Sequence, residues 1–177
     1  KPFSALTDDP FSLAVIDVGL FTHELMSLQP GTEAYVRGPH GMAVAPPTGA
    51  KIITVSGGTG LAAVYQLARD FPNSEIFTGA RTAERLYFLD ECRKIAPVHV
   101  STDDGSEGFH GFVTQLLREY LQQLPPAERK NLIFYNCGPS PMVRAAVAVE
   151  TLKPTHPRIA VLDIDVHHGN GTQDIFF

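Results

Sequence analysis

The feature that most constrains this chain is an alternation that begins at residue 51. Apolar, strand-like runs recur at Lys51–Ser56, Glu75–Thr78, Val98–Ser101, Asn131–Asn136 and Arg158–Asp163. Helical patterns lie between them. The clearest is Phe109, Phe112, Val113, Leu116, Leu117, Tyr120, Leu121 and Leu124, which step by three and four and so share one helix face. Leu61–Arg69, Ala83–Arg93 and Met142–Leu152 read as the other helices, with Thr82 as an N-cap. Strands separated by helices are joined by crossovers, which produce parallel pairing. The spacing therefore predicts an α/β fold: an open parallel sheet with helices on both faces. Its core is expected to hold Leu13, Val15, Ile53, Val55, Ile76, Val98, Ile133, Phe134, Val161 and the helix face at 109–124.

Residues 1–50 have a different texture. They are rich in Pro and Gly, with strand-like runs at Ser12–Val18 and Ala34–Arg37 and a helical turn at Thr22–Leu28. Val44–Gly49 reads as a linker. Fifty residues are too few for an independent β domain. The expected division is a partial antiparallel β segment at 1–50 and an α/β domain at 51–177.

Composition narrows the function classes. The chain has 177 residues, 44% of them apolar and 19% charged, enough to bury a core. Lys and Arg number 14 against 19 Asp and Glu, a net charge of -5, so no broad basic face is available for nucleic acid. Two cysteines, Cys92 and Cys137, cannot build a disulfide framework or an all-cysteine metal cluster. No apolar run is long enough for a membrane helix, and the first residues lack the pattern of a signal peptide. These features predict a soluble cytoplasmic protein.

Three polar loops follow expected strands. Gly57-Gly58-Thr59-Gly60 joins the first strand to the helix at Leu61. A strand, a glycine turn and a helix make a phosphate-binding device, because glycine lets the backbone approach closely and the helix offers unpaired N–H groups. The glycines are not spaced as in Gly-x-Gly-x-x-Gly; a tight turn that binds nothing is the alternative. Thr102-Asp103-Asp104-Gly105-Ser106-Glu107-Gly108 and Cys137-Gly138-Pro139-Ser140-Pro141-Met142 follow the third and fourth strands. Cys137 has no activating neighbour in sequence and reads as a packed thiol. Together the loops describe a crevice for an extended anionic ligand at the carboxyl edge of one sheet.

Lys1-Pro2-Phe3-Ser4, Val36-Arg37-Gly38-Pro39-His40-Gly41, Val55-Ser56-Gly57-Gly58-Thr59-Gly60, Thr102-Asp103-Asp104-Gly105-Ser106 and Cys137-Gly138-Pro139-Ser140-Pro141-Met142 occur in an order that resembles the ferredoxin–NAD(P) reductase superfamily. Within it, Lys1–Glu150 is most similar to the electron-transfer subunits of dihydroorotate dehydrogenase. The resemblance implies a flavin-binding β-barrel followed by a nicotinamide-binding domain, with FAD and NAD(P) as cofactors and a catalytic flavoprotein subunit as partner. It implies flavin contacts at Lys1, Pro2, Phe3 and Ser4, with Lys1 where Arg is usual, and further cofactor contacts at Gly38 and Gly41. Gly57, Gly58, Thr59 and Gly60 match the pyrophosphate loop. Asp103, Asp104 and Gly105 match a nucleotide-side loop; Cys137, Gly138 and Pro139 match the loop beside the nicotinamide. The barrel's opening strands are not in this sequence, and two cysteines cannot ligate the family's [2Fe–2S] centre.

Arg158–Gln173 follows a different pattern. Asp163, Asp165 and His167 alternate, so an extended chain sends them to one side, an O/N donor set suited to zinc. This stretch resembles the zinc-binding strand and loop of histone deacetylases, which implies zinc ligation by Asp165 and His167 with Asp163 orienting them. A catalytic zinc needs three protein ligands, and the family's other aspartate, its histidine pair and its tyrosine have no match here. A working deacetylase site is not expected.

The whole chain then reads as two families joined near Lys153-Pro154-Thr155-His156-Pro157, with Ile159–Leu162 completing the sheet. Electron transfer between nicotinamide and flavin is the leading function. The alternatives are a recombined fold without activity and a zinc amidohydrolase fragment. Partial-barrel edges would favour self-association into a homo-oligomer.

Overall fold

The computed structural model describes residues 3–38, 40, 45–129 and 131–138, and the backbone of a strand at 161–163. Lys1, Pro2, Gly41, Pro139, Asp165 and His167 lie outside the described residues, as do the helix expected at Met142–Leu152 and the join at Lys153–Pro157.

The alternation from residue 51 forms a six-stranded, all-parallel sheet. Its members are β3 (Lys51–Gly57), β4 (Ser74–Ala80), β5 (Val98–Thr102), β6 (Phe109–His110), β7 (Leu132–Cys137) and β8 (Val161–Asp163). The spatial order is β6-β5-β4-β3-β7-β8. β3 lies near the centre, with Val55 opposite Phe77 on β4 and opposite Asn136 on β7. β8 pairs with β7, placing Leu162 opposite Tyr135 and Asp163 opposite Asn136, as the sheet-completing role of that segment requires.

Helices cover both faces. α2 (Gly60–Asp70) and α3 (Leu89–Ile95) bury Leu61, Val64, Ala68 and Cys92 against Ile76 and Cys137. On the other face α4 (Val113–Gln123) buries Val113, Leu117 and Leu121 against Ile53, Val55, Phe77 and Phe134. The parity is strict: odd residues of β3 and β4 face α4 and even residues face α2, because side chains alternate along a strand. α5 (Pro126–Arg129) is a single turn before β7.

Residues 1–50 contribute less regular structure. β1 (Ala5–Asp8) and β2 (Phe11–Leu13) form a two-stranded antiparallel sheet. α1 (Leu20–Ser27) follows, where a helical turn is expected. The hairpin rests on α2: Asp8 accepts hydrogen bonds from Gln66 Nε2 at 3.0 Å and Arg69 Nη2 at 3.3 Å.

Several expectations need correction. The helix expected at Ala83–Arg93 is a 3-10 turn at Ala83–Arg85 followed by α3, and Thr82 makes no side-chain cap. The break has a tertiary cause. Ser106 Oγ holds the Ala83 amide at 2.8 Å, while Phe88, in the left-handed region at φ 58, turns its ring into the core beside Cys92 and Ile76. Phe109 and Phe112 leave the expected helix face. Phe109 joins β6 opposite Ser101, Gly111 at φ +139 breaks the chain direction, and Phe112 is 61% exposed ahead of α4. The strand expected at Ser12–Val18 exists only to Leu13, where β1 can satisfy its backbone, and β1 itself is a strand that the sequence pattern does not mark. Ala34–Arg37 is not a strand, with Tyr35 97% exposed; no other described segment pairs with it. Leu13, Val15, Val98 and Ile133 are half-buried rather than core.

Candidate functional site

Parallel pairing brings every strand's carboxyl end to one edge, so the three polar loops share it. The chain visits β3, β4, β5 and β6 moving outward in one direction, then crosses back to place β7 on the other side of β3. The reversal leaves a crevice between β3 and β7, the place where open α/β sheets bind ligands.

Gly57–Gly60 and Cys137–Gly138 flank that crevice. Gly58 has φ +56, and a Cβ built on it would meet nothing within 4 Å, so this turn presents bare backbone to open space. Gly60 is the opposite case: its Cβ would lie 2.1 Å from the Cys137 carbonyl oxygen and 2.6 Å from its carbon. Only glycine lets the first residue of α2 approach the exit of β7 so closely. Thr59, exposed, precedes α2 and does not cap it with its side chain. The helix therefore points a start without a side-chain cap, with its positive dipole end, at the crevice.

The Thr102–Gly108 loop lies beyond β5. Its backbone is fixed to the neighbouring loop, with the Asp103 and Asp104 amides donating to Ala80 O at 3.0 Å and Arg81 O at 3.3 Å. Gly105 takes φ +73. The Asp104 carboxylate accepts from the Ser106 hydroxyl at 2.6 Å and the Ser106 amide at 3.0 Å, which hold its pKa below the ordinary aspartate value. Asp104 thus shapes its own loop, while Asp103 is exposed.

Cys137 and Cys92 are buried on the α2 face and do not form a disulfide. Burial, aided by the Glu91 charge, pushes the Cys92 thiol up to about 11, so it stays protonated and inert at neutral pH. Phe3 stacks on Phe21 at 6.1 Å, Ser4 is half-buried, and Gly38 lies on an exposed segment. Residues 3–38 therefore do not close into a barrel; their described strands are β1 and β2 alone. Asp163 is placed only by its backbone on β8. Among the described residues no group of three or more His, Cys, Asp or Glu could hold a metal, and no helix is long and apolar enough to cross a membrane.

Two polar features had no sequence signal strong enough to single them out. At the amino edge, Glu75 accepts from Lys51 Nζ at 2.6 Å and Tyr120 Oη at 2.7 Å, and its other oxygen lies 2.7 Å from His99 Nε2. Burial raises the Glu75 pKa, but these hydrogen bonds and the Lys51 charge outweigh it and hold the carboxyl below the usual glutamate value. Lys51 responds in the opposite sense: burial lowers it, and Glu75 and Tyr120 more than compensate, raising it. Toward the carboxyl edge, by contrast, Ser101 Oγ and Asn136 Oδ1 are buried without a hydrogen-bond partner among the described residues.

Residues 54–148 match the family described as "Oxidoreductase NAD-binding domain". The chain belongs to that family. A second match, to "Histone deacetylase domain", covers residues 135–177 and overlaps the first over residues 135–148. The chain is 39% identical over 153 residues to the probable dihydroorotate dehydrogenase B (NAD(+)) electron transfer subunit of Methanocaldococcus jannaschii, covering 84% of this chain and 56% of that one. It is 33% identical over 157 residues to the protein of the same description from Thermococcus kodakarensis, covering 86% and 63%. The chain thus spans a little over half the length of these curated relatives. Among solved structures, an NADH-dependent reduced ferredoxin-NADP oxidoreductase aligns with a TM-score of 0.68 at 26% identity, covering 86% of this chain and 54% of that one. The cytochrome b5 reductase domain of Ulva prolifera nitrate reductase aligns at 0.69 and 18% identity, covering 92% and 76%, which shows the shared fold. The fold is that of the ferredoxin reductases.

Proposed function

We propose that the sheet binds a nicotinamide dinucleotide and that the chain is the nicotinamide-binding module of a flavin-linked electron-transfer protein. The observation that carries this reading is the switch point between β3 and β7, lined by a bare-backbone glycine turn and the start of α2. The residues present suit the ligand: Gly58 leaves room for a pyrophosphate to reach the backbone, and α2 directs its dipole there. Thr59 and Gly60 complete the anion cradle. Asp103, Asp104 and Gly105 would border the adenosine half: they follow β5, and the Asp103 and Asp104 amides are tied to the exit of β4, the second strand, where the ribose of such ligands is read. Cys137, Gly138 and Pro139 border the nicotinamide half. When bound, the nicotinamide supplies the hydride chemistry, and the protein's part is to orient it.

FAD is the expected hydride partner, held by Lys1, Pro2, Phe3, Ser4, Gly38 and Gly41. The two-stranded sheet at 5–13 does not by itself enclose a flavin. By analogy with relatives described as electron transfer subunits, the partner of the whole protein would be a catalytic subunit. The exposed side chains of Phe11, Val18, Leu20 and Met26 would support self-association instead. A cytoplasmic setting fits two cysteines that are not joined in a disulfide.

For residues 135–177 we read a join: a deacetylase-like segment that supplies β8 to a reductase sheet. Zinc ligation by Asp165 and His167, oriented by Asp163, belongs to that segment's resemblance. The test of the main reading is calorimetric titration of the purified chain with ADP-ribose and with NADH, alongside metal analysis and a visible spectrum. Binding of both nucleotides is expected. A chain that binds neither refutes the reading, and stoichiometric zinc would favour the amidohydrolase alternative.

A further inference from the structure

From residue 51 on, two large apolar side chains of the described residues stand exposed, and both follow the carboxyl ends of strands. Tyr87 is in the segment that leaves β4 for α3, and Phe112, 61% exposed, is in the one that leaves β6 for α4. The amino edge has none among the described residues. A single exposed aromatic is ordinary on a protein surface. Phe112 is set apart by how firmly the chain holds it and by what it stands beside.

Its backbone is clamped on both sides. The Gly111 amide donates to Thr102 O at 2.9 Å, at the exit of β5. Gly111 has φ +139, and a Cβ there would lie 2.6 Å from Gln115 Oε1 and 3.0 Å from the Phe109 ring, so only glycine makes this turn into α4. The Phe112 amide donates to the same Gln115 Oε1 at 2.9 Å, and the Phe112 carbonyl accepts from the Gln115 amide at 2.9 Å. On the other side, Val113 Cβ lies 3.0 Å from where a Cβ on Gly79 would be, and Gly79 is the penultimate residue of β4. Phe112 is thus fixed between a residue bonded to the exit of β5 and one that touches the end of β4. No other ring pairs with it among the described residues. The N-cap of a helix favours Ser, Thr, Asp or Asn. Phe112 takes that place on α4, caps nothing with its side chain and leaves its ring in water.

Resting on the dinucleotide reading, we propose that Phe112 is the adenine-binding residue of the site, its ring stacked on the base. The ribose of the adenosine half is read at the end of the second strand, here β4. The base is joined directly to that ribose, so it lies within reach of a side chain fixed at the same place. Adenine presents a flat π face, and a ring that is already exposed and held at its backbone meets it at little cost in ordering. Stacking also removes the apolar surface of both rings from water. The ring that is misplaced as a helix cap is well placed as a platform for the base.

The test titrates the intact chain with ADP-ribose and with NADH by calorimetry and compares three variants. Phe112→Ala should weaken ADP-ribose about 5- to 150-fold, the range of one base–aromatic stack. Phe112→Leu keeps apolar bulk but loses the ring face and should weaken it nearly as much. Phe112→Tyr keeps the face and should stay within about 3-fold of the wild type. A side chain this exposed should shift the melting temperature by no more than about 2 °C; if Phe112→Ala lowers it further, the comparison of Tyr with Leu decides. Phe112→Leu that binds ADP-ribose as tightly as the wild type overturns the proposal. So does Phe112→Tyr that weakens binding as much as Phe112→Ala, which marks a packing role. If the wild type binds neither nucleotide, it is the dinucleotide reading that fails.

Discussion

Gly60→Ala probes the contact on which the crevice depends. The new methyl would lie 2.1 Å from the Cys137 carbonyl oxygen, 2.6 Å from its carbon and 3.1 Å from the Gly138 nitrogen. An ordinary contact is about 3.5 Å, so α2 and the exit of β7 must part by roughly 1.4 Å. All three obstructing atoms are backbone, and none can swing aside as a side chain would. Overpacking of this kind costs about 1–3 kcal/mol. Against it stands the helix-propensity gain of Ala over Gly, at most about 1 kcal/mol and smaller in the first turn. The expected net loss is about 1–2 kcal/mol, or roughly 2–8 °C in melting temperature for a chain of this size. Urea unfolding followed by circular dichroism measures it. Gly58 is the control, because its Cβ would meet nothing and only its φ of +56 resists substitution. Gly58→Ala should cost about 1–2 kcal/mol, whereas Gly58→Asn should cost clearly less, since Asn tolerates the left-handed region. A Gly60→Ala protein as stable as the wild type would refute the close-approach argument, and Gly58→Asn as damaging as Gly58→Ala would refute the conformational one.

Leu117 is fully buried between α4 and the sheet, against Val55 and Phe77; Leu117→Ala should lower stability by about 2–5 kcal/mol in the same urea assay, and a loss under about 1 kcal/mol would mean the site collapses without leaving a cavity. The Glu75 carboxyl titrates below its ordinary value because Lys51, Tyr120 and His99 hold the ionised form. The unfolded chain therefore binds the proton first as pH falls, so the stability this group contributes is present above about pH 4.3 and is lost as pH drops through the lower folded-state value. Urea midpoints taken between about pH 3 and pH 6 should rise with pH more steeply for the wild type than for Glu75→Gln; parallel curves would show that the quartet does not hold the charge.

The main features of the sheet were legible because each central strand is a compact apolar run bounded by Gly, Pro or charged residues. Lys51–Ser56 became β3 with one residue added, and Asn131–Asn136 became β7 shifted by one. The failures share a physical cause: contacts distant in sequence decided the local conformation. Phe109 and Phe112 fit the three-and-four spacing of α4, yet β5 offered Phe109 a strand partner and Gly111 supplied the φ that ends the helical path. Phe88 has no local reason to adopt φ 58; its ring is drawn into the core. The glycine turn was readable as a phosphate-binding device, but the approach of Gly60 to Cys137 was not, because those residues are 77 apart in sequence. Asn136 carried a faint signal, a single amide in an otherwise apolar strand at the parity of Phe134. The Lys51–Glu75–His99–Tyr120 quartet carried none, since its members come from four separate elements.

The contrast between the two edges of the sheet argues for function more strongly than either edge alone. At the amino edge, the side chains of Lys51, Glu75, His99 and Tyr120 meet, and the Glu75 carboxylate is satisfied on both oxygens. Phe77 stacks on His99 at 4.2 Å and meets Tyr120 edge-on at 5.1 Å, so the polar quartet is sealed to the core beneath it. A fold able to saturate that many polar groups at one end is not short of partners in general. At the carboxyl edge the same sheet keeps a turn at Gly58 open to its surroundings and a helix start without a side-chain cap. Each of these lowers stability slightly, and each is a group that an anionic ligand can satisfy. Their concentration at the one edge where the chain reverses direction is what a binding site requires and what packing alone does not explain.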